Sequence, residues 1–313
     1  MRIGIVVDSA CDVPTDFIER ENVTILPVTV QIGQAILADV RNEQATLNFL
    51  TGETAERAFE ADTTPYTVQQ VHDLFLSKLV LDYDYVFCIT TTRSRSGIYD
   101  NAMQASYTIL NDYKPVRAAV GNNMPFSLRV IDSQNVFAGV GVLAVEAARL
   151  RAAGEGAPKI RARLENLALY TQGYMVPPDL HYLRNRIKKR GDKSVSFFSA
   201  ALGTALDIKP ILHCNRGDTA PVAKVKGFDT AAEKLFSFAS SQIRAGLMTP
   251  TMNLSYGGEL EQMRALPGYD DLRVTCASYN IELFESVMSL SGMINVGKGA
   301  VVVGFAAESR KFG

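Results

Sequence analysis

The chain holds 313 residues, 47% of them hydrophobic and 21% charged, the balance of an ordinary globular protein. At this length two domains are expected, because single cores stop growing near ~250–300 residues. A formal net charge of −1 excludes a general electrostatic pull toward nucleic acid or an anionic membrane.

Residues 3–7 open the chain as an apolar strand. The run is too short for a signal peptide and Asp8 follows it directly, so no secretory leader is expected. Further strands are predicted at 23–32, 85–89 and 128–131, rich in Val and Ile and bounded by polar turns. Between them Val71, Leu74, Phe75 and Leu79 recur at helical spacing, as do Val140, Leu143, Ala144, Ala147 and Leu150. Apolar strands alternating with helices predict an α/β fold whose N-terminal domain is a three-layer α/β/α unit with a mainly parallel sheet. The small residues, glycines and proline of 151–158 make the best linker, which divides the chain into domains 1–156 and 157–313.

The second half reads as α+β with a mixed sheet. A helix is expected over 159–171, and Pro177, Pro178 and Asp179 open another, with Asp179 as its cap. A short strand follows at 195–198. Runs 210–214 and 221–226 flank Asn215, Arg216, Gly217 and Asp218, which is a hairpin signature. A helix over 230–244, a strand at 272–278, a helix to about 290 and a strand at 301–305 complete the reading. No segment reaches the ~20 apolar residues of a membrane span, so stable membrane insertion is not expected. Cys11, Cys88, Cys214 and Cys276 are scattered without metal spacing, and only three histidines are present. A cytoplasmic protein with free thiols, without metal or cofactor, is therefore expected.

The most informative stretch is 89–99, where hydroxyl residues and two arginines follow the 85–89 strand and precede a helical pattern. In an open α/β sheet ligands bind at such strand-to-helix turns, and free N–H groups at the helix start favour an anion. The stretch points to a carboxylate or phosphate site. The competing reading for Thr92 and Ser96 is helix capping; for Thr63 and Thr64 it is the same, ahead of the helix of Val71. Arg93 and Arg95 could equally be solvated surface groups. The segment 292–299 has the G-x4-G-K spacing of a P-loop, but Gly299 replaces the required Ser or Thr and a strand follows. Its glycines suit a tight turn instead.

Taken in order, these landmarks resemble the fatty-acid-binding DegV family over the whole chain. The resemblance rests on Asp8, Ser9, Asp12 and Pro14 after the first strand, on Pro27 and Asp39, and on the turn of Asp62, Thr63, Thr64 and Pro65. It continues through the loop of Thr92, Ser96, Gly97 and Tyr99, through Asp132, Ser133, Gly139 and Gly141, and through Asp179, Leu183, Lys209, Pro210 and the hairpin. It ends on Asn295, Gly297, Gly299 and Ala300. The resemblance implies a two-domain carrier, not a catalyst, holding one long-chain fatty acid with its tail buried, the second domain contributing the acyl pocket. Its carboxylate would lie at the domain junction on Thr63 or Thr64, Thr92, Ser96 and Asn295, near Gly97 and Gly297. In some bacteria such proteins present the fatty acid to a separate fatty acid kinase. Three departures distinguish this chain. Asn295 stands where the family usually has histidine, Arg95 where it often has leucine, and 186–194 is longer and more basic than the usual turn. Two other functions fit the residues: an enzyme using Asp8, Arg93 and Arg95 around a phosphorylated or carboxylated small molecule, or a lipid-responsive regulatory protein acting through the basic segment 184–193.

Overall fold

The computed structural model describes residues 1–51, 60–189 and 207–313. In chain order the first half contains β1 (Ile3–Asp8), α1 (Thr15–Arg20), β2 (Thr24–Leu26), β3 (Val28–Ile32), β4 (Ala35–Asp39), α2 (Glu43–Thr51) and β5 (Asp62–Pro65). It continues with α3 (Val68–Leu74), a π-helical turn (Phe75–Leu79), α4 (Val80–Asp82), β6 (Tyr85–Thr90), α5 (Ile98–Ala119), β7 (Ser127–Asp132) and α6 (Ala138–Ala152). The second half contains α7 (Ala157–Ala168), β8 (Thr171–Val176), α8 (Leu180–Lys189), β9 (Ile208–Asn215), β10 (Asp218–Lys226) and α9 (Phe228–Ala245). After these come β11 (Thr251–Tyr256), α10 (Leu260–Arg264), α11 (Tyr269–Ser278), β12 (Glu282–Val287), α12 (Leu290–Val296) and β13 (Val301–Ala306).

Four strands form a wholly parallel sheet in the order β2-β1-β6-β7. Its strands read as apolar runs because helices cover both faces. The single strand expected over 23–32 is two strands in different sheets. Pro27 cannot donate to a ladder, and the chain breaks there; β3 departs to form an antiparallel three-stranded sheet, β4-β3-β5. Ser9 holds the corner: its Oγ accepts the Val28 N–H at 2.8 Å and donates to the Asp39 carbonyl.

The second half is built on a six-stranded mixed sheet, β10-β9-β8-β13-β11-β12, in which only β11 and β12 run parallel. Three expectations are corrected here. The segment 272–278 is helical, because Tyr269, Leu272 and Cys276 form one buried helical face while Val274 is exposed. The helix expected up to 290 gives way to β12, and α12 begins only after it. The helix expected over 159–171 stops at Ala168, and Thr171 starts the interior strand β8. The strand expected at 195–198 lies outside the described residues.

Helix α6 joins the two sheets. Every residue from Ala138 to Ala148 is buried, as in a helix enclosed on all sides, and the charged residue of that span, Glu146, is paired with Arg149 and Arg163. Glycines permit the close approach. A Cβ on Gly304 of β13 would lie 2.5 Å from the Ala138 carbonyl oxygen, and one on Gly141 2.6 Å from the Asp12 carbonyl oxygen. A second link is a buried ion pair: Arg41 Nη1 lies 2.8 Å from Asp12 Oδ1. Arg41 also donates to the carbonyls of Val13 and Val287, while Asp12 accepts from the Ser255 hydroxyl and the Ser289 N–H.

Candidate functional site

A cavity of about 220 Å³ opens where the carboxyl ends of β1 and β6 meet β5, α8, β9 and α12. Its apolar wall includes Val136, Phe137, Met175, Leu183, Leu212 and Val296, and its polar groups include Thr63, Arg95, Ser96, Arg186, Ser291 and Asn295.

Asn295 organises the polar side. It sits on α12, one turn beyond Ser291, so both point to the same face. Its Nδ2 donates to the Ser291 carbonyl at 2.7 Å and to Thr63 Oγ1 at 3.3 Å, and its Oδ1 accepts from Arg186 Nη2 at 3.3 Å. Thr63 therefore receives a hydrogen bond, which leaves its own O–H to be donated. Arg186 is buried, and its Nη1 donates to the Ala61 carbonyl. Burial pulls its guanidinium below its ordinary pKa, but an arginine stays charged in proteins.

Asp8 and Thr91 lie on the same wall. The Asp8 carboxyl accepts the Thr91 N–H, the Thr91 hydroxyl at 3.0 Å and the Ala10 N–H at 2.9 Å. Burial nevertheless pushes its pKa up to about 6. These bonds tie the end of β1 to the loop after β6.

The structure brings Thr63, Arg95, Ser96, Gly97 and Asn295 together on one cavity. Ser96 Oγ also accepts the Ile98 N–H at 3.3 Å, the capping contact expected of it. Thr64, Thr92 and Gly297 are not among the lining residues. Thr64 is exposed, because alternation along β5 turns Thr63 and Pro65 to the cavity and Thr64 away. Thr92 is buried beside Ser94 (Oγ1 to Oγ 3.3 Å), and a Cβ on Gly217 would lie 2.9 Å from Thr92 Oγ1. With Ser94 Oγ donating to the Gly217 carbonyl, this end of the loop clamps onto the β9–β10 hairpin. Gly297 has φ +102° and donates its N–H to the Met293 carbonyl at 2.8 Å; Gly299 donates to Gly257 at 2.8 Å. The first closes the last turn of α12 and the second ties the following loop to Gly257. Arg93 lies 3.6 Å from Asp100 and over the Tyr99 ring, at the surface.

Thr91, Arg186 and Ser291 are cavity residues that sequence reasoning did not single out. For Arg186 the signal was there: Leu183, Arg186 and Ile187 share the inner face of α8 by helical spacing, within what reads superficially as a solvated basic run. Among the described residues no group of three or more His, Cys, Asp or Glu could hold a metal ion.

The family model described as "Uncharacterised protein, DegV family" matches residues 2–308. The chain belongs to the DegV family. A DegV domain-containing protein of Xanthomonas campestris is 62% identical over 100% of this chain and 99% of its own. The DegV lipid binding protein of Thermotoga maritima shares the fold with a TM-score of 0.75 at 20% identity, covering 99% of this chain and 100% of that one. The Streptococcus pneumoniae Fatty Acid Kinase (Fak) B3 protein loaded with linoleic acid superposes with a TM-score of 0.73 at 16% identity, over 98% and 99% of the two chains.

Proposed function

We propose that this DegV protein is a carrier that holds one long-chain fatty acid in the cavity, with no catalytic step of its own. The observation that carries the reading is the bonded cluster of Asn295, Thr63 and Arg186 set in an otherwise largely apolar wall. The carboxylate is held by the hydroxyls of Thr63 and Ser96 and faces the Arg186 guanidinium, with Arg95 beside it. Asn295 orients Thr63 and Arg186, and Arg186 supplies the positive charge that an amide at 295 lacks. The tail supplies most of the affinity, at ~0.8 kcal/mol per buried methylene before opposing costs; the head group sets direction. On this reading the domains meet at 156/157, the setting is cytoplasmic, and the fatty acid is delivered to a separate fatty acid kinase, a partner supported by the family resemblance and by the likeness to the Fak B3 protein.

The enzymatic alternative has weaker support. Asp8 already accepts three bonds from within the protein, and Arg93 lies away from the cavity. The test is mass spectrometry of the purified protein, native and after solvent extraction. A stoichiometric long-chain fatty acid is expected; an empty protein that takes up no added fatty acid would remove the reading.

A further inference from the structure

We propose that the Ser291 hydroxyl is a further ligand-binding group, donating to the head-group carboxylate from one helical turn below Asn295. The inference rests on the fatty-acid reading above. Ser291 lines the cavity and is 3% exposed, and its Oγ, buried just beneath the cavity surface, has no hydrogen-bond partner among the described residues, so a turn about its Cα–Cβ bond is what brings it to a ligand. A buried hydroxyl left unbonded is costly and rare in native proteins.

The fold does not need this hydroxyl. The Ser291 N–H donates to Asp39 Oδ2 at 2.8 Å and its carbonyl accepts from Asn295 Nδ2 at 2.7 Å, so its backbone is satisfied. Capping of α12 is done by Ser289, whose Oγ accepts the Gly292 N–H at 3.1 Å. A helical serine can bond back to the carbonyl four residues earlier; here that is Val287, which instead accepts Arg41 Nη2 at 3.0 Å. The helix is held on its other face by Leu290 and Ile294, which belong to an apolar cluster with Val30 and Ile32.

Geometry selects the head group over the tail. Residues four apart on a helix have Cβ atoms about 5–6 Å apart. Asn295, at that spacing, holds Thr63 and Arg186, so a carboxylate taken by those two groups lies within one helical turn of Ser291, in reach of an O–H···O bond of about 2.7 Å. The Asp39 carboxylate, fixed by the Arg41 N–H at 3.2 Å, is then a positioning group that sets the start of α12 and with it Ser291.

The test compares full-length wild type with Ser291→Ala, both delipidated, for binding of palmitate and of hexadecanol. Charge-assisted hydrogen bonds are roughly twice as strong as neutral ones. The variant should lose about 10-fold or more in palmitate affinity and less than about 3-fold for hexadecanol. Without lipid it should melt about 2–4 °C higher, because an unbonded buried hydroxyl is gone. Palmitate affinity within about 2-fold of wild type, equal losses for both lipids, or a lower melting temperature without lipid would each overturn the assignment. Wild-type protein that takes up neither lipid would overturn the fatty-acid reading itself, and this inference with it.

Discussion

Arg186 carries the most weight at the scale of single residues. It is the buried cation on the cavity wall and cannot be neutralised at working pH. Arg186→Met keeps much of its volume and removes the charge. Palmitate affinity should fall at least about 10-fold, with hexadecanol affected far less, since bonds to charged groups are worth ~1.5–3 kcal/mol; competition binding with the two lipids checks this. Asp8 gives a prediction about pH. Its folded pKa of about 6 lies above the ordinary carboxylate value of 3.8, so the folded state holds its proton more tightly than the unfolded chain. Its contribution to stability is therefore fully present below about pH 4 and lost as pH rises through about 6, a swing of about 3 kcal/mol. Asp8→Asn should flatten that part of the stability curve, and urea unfolding of both proteins from pH 4 to 7 would show it. An unchanged difference across that range would mean that Asp8 titrates normally. Of the residues named from sequence, Thr63, Arg95 and Ser96 line the cavity and were noticed because hydroxyls and arginines in turns stand out, while Asn295, also on the cavity, was named only through the family resemblance. Sequence reading passed over Ser291 and Arg186 because one looks like filler in an apolar helix and the other like surface charge.

Among the elements, α12 matters most for the site. It has only seven residues, too few to be stable alone, so its orientation is set from outside. Two carboxylates do this: Asp12 accepts the Ser289 N–H at 3.0 Å and Asp39 accepts the Ser291 N–H at 2.8 Å. Asp39→Ala should cost about 1–3 kcal/mol, the penalty for orphaning buried donors, and should weaken palmitate binding by releasing Asn295. Denaturant unfolding combined with lipid titration checks both; full binding in a destabilised protein would separate α12 from the site. The elements read correctly from sequence were those with local signals: the parallel strands β1, β6 and β7, the β9–β10 hairpin with Gly217 in its turn, and the cap of α8, where Asp179 Oδ1 accepts the N–H groups of His181 and Tyr182. β12 was misread because a six-residue segment with mixed side chains has no decisive periodicity. Its pairing with β11 makes it a strand.

For the whole molecule, the coupling of the two halves is decisive, because the cavity draws its walls from both. The Asp12–Arg41 pair lies fully inside this junction. Arg41→Met would strand a buried carboxylate and should cost about 3–5 kcal/mol. The double variant Arg41→Met with Asp12→Asn should recover part of that loss, and thermal unfolding of the four proteins measures the coupling. Fully additive losses would show that the two groups act independently. The sequence alone determined the α/β class, the mixed sheet of the second half and the family, and it pointed to several residues that line the cavity, because these depend on periodicity, turn residues and ordered motifs spread along the chain. Only the tertiary structure decided which hydroxyls face the cavity, that Pro27 parts two sheets, that α6 is buried between sheets, and that Arg186 lies inside. Each of these depends on contacts between segments far apart in sequence, where burial and close approach override local preference.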